Sequence, residues 1–151
     1  MQGKEKGTTP NNILLILGSL SFYGKPIEGR TRLQKMAFLL KNKFGFPLDF
    51  DFKPYYYGPY SEELSDLVSL LRALGLAEEK TDYFGLGKIR YDYVLTEKGK
   101  EYFEKFSKAS GKDTKQTIRK LRGCISELSL LSTPELISEA KSLMKIKSET
   151  S

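Results

Sequence analysis

The side chains with catalytic potential are few in this sequence of 151 residues. It contains no histidine and a single cysteine, Cys124, so it lacks the commonest general base, the commonest metal ligand and any internal disulfide. Glu62 and Asp66 lie four residues apart, a spacing that places two carboxylates on one face of a helix. Such pairs on a solvent-facing helix are ordinary surface residues. We therefore expect a protein that is not an enzyme and that has no catalytic residues, metal ligands or cofactors.

Positive charge offers a second kind of chemistry, the binding of phosphates. Lysine and arginine outnumber aspartate and glutamate by 25 to 19, which gives a formal net charge of +6 and favours an anionic partner. A predicted helix and a predicted hairpin carry the basic residues that could contact duplex DNA, namely Arg30, Arg32, Lys35, Lys41, Lys43, Lys88 and Arg90. The alternative is a solvated helix face, because runs of charge usually have that role. For Arg30, a structural bond to a carboxylate or to the backbone at 57–58 is at least as consistent with the sequence.

Aromatic and acidic residues between 55 and 66 offer a third possibility, the recognition of another protein. The predicted partner-binding residues are Tyr55, Tyr57, Tyr60, Glu62 and Asp66. Tyrosine provides a large contact area at low entropic cost, whereas carboxylates at the start of a recognition helix would face DNA phosphates at close range. The segment is therefore better suited to a protein surface than to a DNA groove. The alternative is that most of these tyrosines are buried between the arm that carries them and the core.

Hydrophobic periodicity and capping residues predict the elements that position these side chains. Threonine and serine N-caps, prolines and glycines delimit helices at 11–23, 30–44, 61–75, 96–108, 113–131 and from 132 onward. Segments rich in β-forming residues at 76–84 and 89–95 flank a glycine-bearing loop and predict a hairpin. Aromatic residues that alternate with polar ones at 46–53 predict an extended arm with one buried side.

These elements predict a mainly α fold with a small β-hairpin wing (α+β), a winged helix-turn-helix with a C-terminal helical extension. We divide the chain into a flexible N-terminus at 1–10, a winged helix-turn-helix domain at 11–110 and a C-terminal helical pair at 111–148. The pair carries an apolar stripe at heptad spacing, formed by Ile118, Leu121, Ile125 and Leu128. The stripe suits either a homodimer seam or packing on the first helix, and we favour the seam by analogy with winged-helix regulators.

Two motifs resemble a known family. They read Ile27-x-Gly29-Arg30-Thr31-x-Leu33-Gln34-Lys35 and Tyr57-Gly58-Pro59-Tyr60-Ser61-x-x-Leu64, and together they resemble the YwgA-like proteins and, more loosely, the Panacea or SocA-type antitoxin-associated domain. The order of elements is also similar to that of PadR-type regulators, in which a terminal helix forms the dimer. The resemblance spans about 11–106. It implies a winged-helix-like fold, no enzyme activity and, in the antitoxin branch, a module that recognises another protein.

Two functions are consistent with these features. The first is a non-enzymatic winged-helix protein that binds double-stranded DNA as a homodimer and regulates transcription. The alternative is a protein-recognition adaptor or antitoxin-like module that uses the acidic helix at 61–74 and the aromatic arm at 50–60. We expect a cytoplasmic protein without membrane contact, because its longest apolar run, 12–20, is shorter than the roughly 20 residues of a membrane span and no signal-peptide cleavage site follows it.

Overall fold

The computed structural model describes residues 9–83 and 85–150, with side chains up to residue 146; residues 1–8 of the predicted N-terminal segment lie outside these ranges. The helices of the described residues are α1 (Pro10–Tyr23), α2 (Arg30–Asn42), α3 (Glu62–Ala73), α4 (Glu97–Ala109), α5 (Lys112–Ser129) and α6 (Thr133–Thr150). The strands are β1 (Ile27–Glu28), β2 (Lys53–Tyr55), β3 (Gly58–Tyr60), β4 (Ala77–Tyr83) and β5 (Ile89–Leu95). The predicted α+β class, mainly helical with a small antiparallel sheet, is confirmed.

Side-chain caps start several helices where the sequence predicts them. The hydroxyl groups of Thr9, Ser61 and Thr96 accept hydrogen bonds from the backbone N–H three residues later, at 3.3, 3.2 and 2.9 Å. Before α6, Ser132 and Glu135 each accept a bond from the backbone N–H of the other, which is a capping box. Local sequence signals therefore determine where α1, α3, α4 and α6 begin.

The start of α5 differs from the prediction. The helix begins at Lys112 with Gly111 as its N-cap, and Asp113 does not serve as the cap. Asp113 instead lies in the first turn, where a carboxylate interacts favourably with the positive end of the helix dipole. An acidic residue near a helix start is compatible with both positions, which explains the difference.

A three-stranded antiparallel sheet has the strand order β1-β5-β4. β4 and β5 form the predicted hairpin; Phe84, the predicted last residue of its first strand, lies outside the described residues. The sequence predicts only a connection at 25–29, whereas the structure pairs β1 with β5, with Ile27 opposite Tyr93. This pairing fixes the start of α2 beside the sheet.

A second, two-stranded sheet joins β2 to β3, with Lys53 opposite Tyr60 and Tyr55 opposite Gly58. We call the segment 53–60 the tyrosine hairpin. The arm that leads into it has Phe46, Leu48 and Phe50 buried, with exposed residues between them, so the predicted alternation is confirmed. The arm therefore anchors one end of the hairpin in the core.

One hydrophobic core includes residues from both the predicted winged domain and the C-terminal helices. α1 contacts α4, α5 and β5, while α6 packs on α2 and β3. Leu121, Ile125 and Leu128 are fully buried within this chain, Ile118 packs against the same core, and Leu121 lies close beside Gly18 of α1. The predicted homodimer seam is therefore wrong, because the chain's own α1 covers the stripe, as in the alternative interpretation.

Candidate functional site

The cleft between α2, α3 and the three-stranded sheet holds a network of charged and phenolic groups. Arg30 donates through Nε to the hydroxyl oxygen of Tyr93 (3.0 Å), and that hydroxyl donates to Oε2 of Glu79 (2.7 Å). Glu79 also pairs with Arg72 at 3.4 Å and with Arg30 at 3.7 Å, and the Arg30 guanidinium stacks on Tyr91. The bond to Tyr93 raises the pKa of Arg30, and burial together with the bond to Glu79 raises the pKa of Tyr93 to about 12. Glu79 thus compensates both arginines.

The arginine of the β4–β5 hairpin also has carboxylate partners. Arg90 donates to both carboxylate oxygens of Asp92, at 2.8 and 3.0 Å, and to Asp82 at 3.2 Å. The bonds to Asp92 raise the pKa of the Arg90 guanidinium. Lys88 is exposed in the turn. A polyanion approaching this hairpin would meet carboxylates as well as cations.

Two of the predicted DNA-contacting residues are buried. Arg32 donates to the hydroxyl oxygens of Tyr23 (2.8 Å) and Thr133 (3.3 Å) and to the carbonyl oxygens of Leu128 and Ser129, both at 3.4 Å. It therefore ties α2 to the connection between α5 and α6. Lys35 is also buried, and its ammonium donates to the carbonyl oxygen of Pro59 at 2.9 Å. Neither side chain lies on a surface that duplex DNA could reach, so the prediction for Arg32 and Lys35 is wrong.

Lys41 and Lys43, at the other end of α2, also have partners in the chain. Lys41 is half-buried and donates to the carbonyl oxygen of Phe50 at 2.6 Å, which holds the aromatic arm against α2. Lys43 pairs with Glu139 of α6 at 2.5 Å. The five basic residues of α2 therefore do not form the continuous exposed face that would neutralise a row of phosphates.

The tyrosine hairpin is attached to α2 by side chains from the first of the two motifs. The Gln34 amide accepts a bond from the N–H of Ser61 (2.8 Å) and donates to the carbonyl oxygen of the same residue (3.0 Å). Lys35 holds the neighbouring Pro59, as described above. Since Gln34, Lys35 and Ser61 are all buried, the attachment is shielded from water. The Gln34 and Lys35 of one motif thus position the Gly-Pro-Tyr-Ser of the other.

The tip of this hairpin presents adjacent tyrosines to solvent. Tyr55, Tyr56 and Tyr57 are 52%, 94% and 63% exposed, whereas Tyr60 is half-buried, with its ring centroid 5.1 Å from that of Tyr55. The interpretation that most of these tyrosines are buried is therefore wrong for the three at the tip. Tyr56, the most exposed, is absent from the predicted partner-binding set. No sequence pattern distinguishes it from its neighbours, because its exposure depends on where the turn falls.

The acidic residues predicted beside the tyrosines lie on the first turns of α3. Glu62 and Asp66 are exposed, while Leu64, Leu67, Val68 and Leu71 of the same helix are buried. Their exposure agrees with the predicted amphipathic helix. Neither carboxylate has an ion pair among the described residues. The early surface of α3 is thus negatively charged.

A cavity of about 240 Å³ lies between the tyrosine hairpin and the start of α2. Its lining includes Arg30, Thr31 and Lys35 from the helix, with the remainder supplied by Tyr55, Tyr56, Tyr57 and Tyr60. No carboxylate of the described residues lines it. Burial, together with the positive charge of Lys141 on α6, lowers the pKa of Lys35 to about 8. Lys141, which lies against Gly58, had no signal in the sequence that would link it to this surface.

The described residues show neither a cluster of metal ligands nor a membrane-spanning helix. Among the side chains described, no group of three or more cysteine, aspartate or glutamate residues is placed to hold a metal ion. Within the same part of the chain, no helix is both long enough and apolar enough to span a bilayer.

Comparison with known proteins gives a partial match. No family model matches the chain. Over 78 residues, 52% of its length, the chain is 40% identical to the uncharacterized protein YwgA of Bacillus subtilis (strain 168). The match covers 46% of that protein, so the chain spans about half the length of this relative. The similarity supports a YwgA-like family, as the two motifs suggest, and the relative's name specifies no activity.

Proposed function

We propose that this protein is a non-enzymatic protein-recognition module, adaptor-like or antitoxin-like, that binds its partner through the tyrosine hairpin. The observation that carries the proposal is the exposure of Tyr55, Tyr56 and Tyr57 on a hairpin that buried hydrogen bonds hold to α2. Exposed aromatic side chains on a fixed support lose little entropy when a partner covers them. Such residues are typical of the centres of protein interfaces.

The charge distribution supports the same proposal. Arg30, Arg72 and Arg90 each have a carboxylate partner, and the exposed early residues of α3 are acidic. A DNA-reading helix needs exposed cationic or amide side chains at these positions. A protein partner tolerates mixed charge, since complementary groups can be arranged across the interface.

The test is purification of the native complex with a substituted hairpin. We expect the tagged wild-type chain to retain a stoichiometric protein partner from an extract of its source cells. Replacement of Tyr55, Tyr56 and Tyr57 by serine should remove that partner, because the three side chains form the proposed contact. Tyr83→Ser is the matched control, since Tyr83 is 73% exposed on the other hairpin. Retention of the partner by the triple variant, or the absence of any partner with the wild type, would contradict the proposal.

A second candidate is a winged-helix DNA-binding regulator of transcription that acts as a homodimer. The order of α1, β1, α2, α3 and the β4–β5 hairpin supports it, since a winged helix-turn-helix has these elements in the same order, although here β2 and β3 separate α2 from α3. Lys88 is exposed where a wing would contact DNA. A dimer of this kind would need a surface other than the buried stripe of α5.

A duplex-DNA titration at roughly 50 and 200 mM salt tests this candidate. If Lys88 contacts a phosphate, Lys88→Ala should reduce the log-log salt slope by about 0.9, while Lys105→Ala, on exposed α4, should leave it unchanged. Absence of binding at the lower salt concentration would exclude the candidate. Light scattering at micromolar concentration would establish whether the chain is a dimer.

A further inference from the structure

Lys35 is an anomaly among the charged residues of this chain. Its side chain is only 2% exposed, yet its one hydrogen-bond acceptor among the described residues is the carbonyl oxygen of Pro59. Burying an ammonium group without a counter-charge is costly, and proteins normally pair such groups with a carboxylate. Here the charged group that acts on the pKa of Lys35 is Lys141, and its positive charge is repulsive. An ammonium group has three donors, so two remain for another acceptor.

The cavity in front of Lys35 has the composition of an anion site. Arg30 and Thr31 supply further donors, and the tyrosine rings form walls from which water is easily displaced. Arg30 is already compensated by Glu79, whereas neither Lys35 nor Lys141 has an ion pair among the described residues. The positive charge available to a ligand is therefore concentrated on Lys35, which lines the cavity, and on Lys141, which lies beside it against Gly58.

We propose that this cavity receives a carboxylate from an acidic segment of the protein that covers the tyrosine hairpin. The inference rests on the proposed function and specifies the chemistry of its partner. An aspartate or glutamate side chain entering beside Lys35 would supply the missing counter-charge, while apolar side chains next to it would cover Tyr55, Tyr56 and Tyr57. A single carboxylate is favoured over a phosphate chain because the cavity is small, about 240 Å³, and so has room for one anionic group beside Lys35.

Binding of a carboxylate has a consequence for proton uptake. An anion beside Lys35 favours the charged amine and raises its pKa from about 8, so the complex takes up protons when it forms near pH 8.5. The other titratable and charged groups around the amine are Arg30, Lys141 and the four tyrosines of the cavity. The Arg30 guanidinium, whose pKa is raised, keeps its charge at this pH, so we assign the uptake to the Lys35 amine.

The probes for the test are two fluorescein-labelled decapeptides, one alternating glutamate with leucine and one alternating glutamine with leucine. We expect the acidic peptide to bind at least tenfold more tightly than the neutral one. Lys141→Glu should reduce the affinity for the acidic peptide about tenfold, and Lys35→Met should abolish the proton uptake. Lys105→Glu is the matched control, because Lys105 is equally exposed but lies on α4. Lys141 makes no hydrogen bond among the described residues, so its variant tests the proposal even if Lys35→Met fails to fold.

Three results would overturn the inference: equal affinity for the two peptides, no effect of Lys141→Glu, or tighter binding of a ten-nucleotide oligothymidine that Lys141→Glu abolishes. The last result would assign the cavity to nucleic-acid phosphates. The inference and the proposed function can fail separately. If the native partner is lost on substitution of the tyrosines but retained by Lys141→Glu, the hairpin binds a protein without the carboxylate contact.

Discussion

The positive charges on the two sides of the N-terminal half of α2 differ in whether they have a carboxylate partner. On the side of the three-stranded sheet, Arg30 and Arg72 share Glu79. On the side of the tyrosine hairpin, Lys35 has only a backbone carbonyl and lies near another lysine. In the first arrangement both cations have a carboxylate partner, although two arginines share one glutamate, while in the second the cation has no carboxylate partner among the described residues. Binding potential therefore depends on which cations remain uncompensated, and a count of basic residues does not reveal it.

The largest effect should come from the bonds that hold the hairpin to α2. Gln34→Ala removes both hydrogen bonds to Ser61 and opens a cavity. The buried backbone N–H of Ser61 is then left without an acceptor. We expect a loss of about 4 kcal/mol in the free energy of unfolding. Urea denaturation measures this loss of stability, and Gln116→Ala, at an exposed position of α5, is the control. Equal stability of the two variants would show that the hairpin does not depend on Gln34.

The next effect concerns the uncompensated charge of Lys35. Below pH 8 the Lys35 amine is protonated in both the folded and the unfolded state, so the folded state bears the full free-energy cost of burying its charge. Above about pH 8 the folded state loses the proton first, so the free energy of unfolding should rise until the unfolded amine titrates near 10.5. Between pH 7.5 and 9.5 the rise should be about 2 kcal/mol. Tyr93, whose pKa is about 12, titrates above this window.

Denaturation at several pH values measures this dependence. Lys35→Met should abolish the rise, whereas Lys105→Met, which removes an exposed amine, should retain it. If the wild type shows no rise, an unrecognised acceptor compensates Lys35, and the contrast between the two sides of α2 disappears.

The smallest effect should be found on the compensated side. Glu79→Gln keeps an acceptor for the Tyr93 hydroxyl but removes the charge shared by Arg30 and Arg72. Because both arginines are largely exposed, we expect a loss of only about 1 kcal/mol in the free energy of unfolding. Ultraviolet titration should also show a lower pKa for Tyr93, since the bond to the Glu79 carboxylate helps to raise it. Glu78→Gln, at an exposed neighbouring position, should change neither quantity.

Local signals predicted much of the fold. The buried positions 64, 67, 68 and 71 of α3, the serine and threonine caps and the glycine-bearing hairpin depend on residues within a few positions of each other, and the structure agrees with the predictions made from them. The prediction that Leu74 shares the buried face is wrong, because Leu74 follows the end of α3 and is 50% exposed. The brief β1 was missed because two residues carry no periodicity, and it forms only by pairing with the distant β5.

The candidate site was predicted less completely. Of the predicted partner-binding residues, Tyr55, Tyr57, Glu62 and Asp66 are exposed and Tyr60 is half-buried, and their binding role stays a prediction. Arg32 and Lys35 were assigned to an exposed face, since long cationic side chains are rarely buried, yet both are held by groups far along the chain. The apolar stripe of α5 was predicted to be a dimer interface. A heptad pattern indicates that a helix face is covered but does not identify the element that covers it, which here is α1.

The sequence by itself determined the helices, the serine and threonine caps of α1, α3, α4 and α6 and the hairpin of β4 and β5, because each depends on short-range hydrogen bonds and periodicity. The aromatic and charged composition of the segment at 50–66 is likewise visible in the sequence. Only the tertiary structure decided which charges are compensated. Glu79 lies about fifty residues from Arg30, and Pro59 and Lys141 meet Lys35 from two other elements. Electrostatic energy depends on the distance between charges and on their burial, so the basic residues of one predicted helix lie in two different electrostatic environments in the fold.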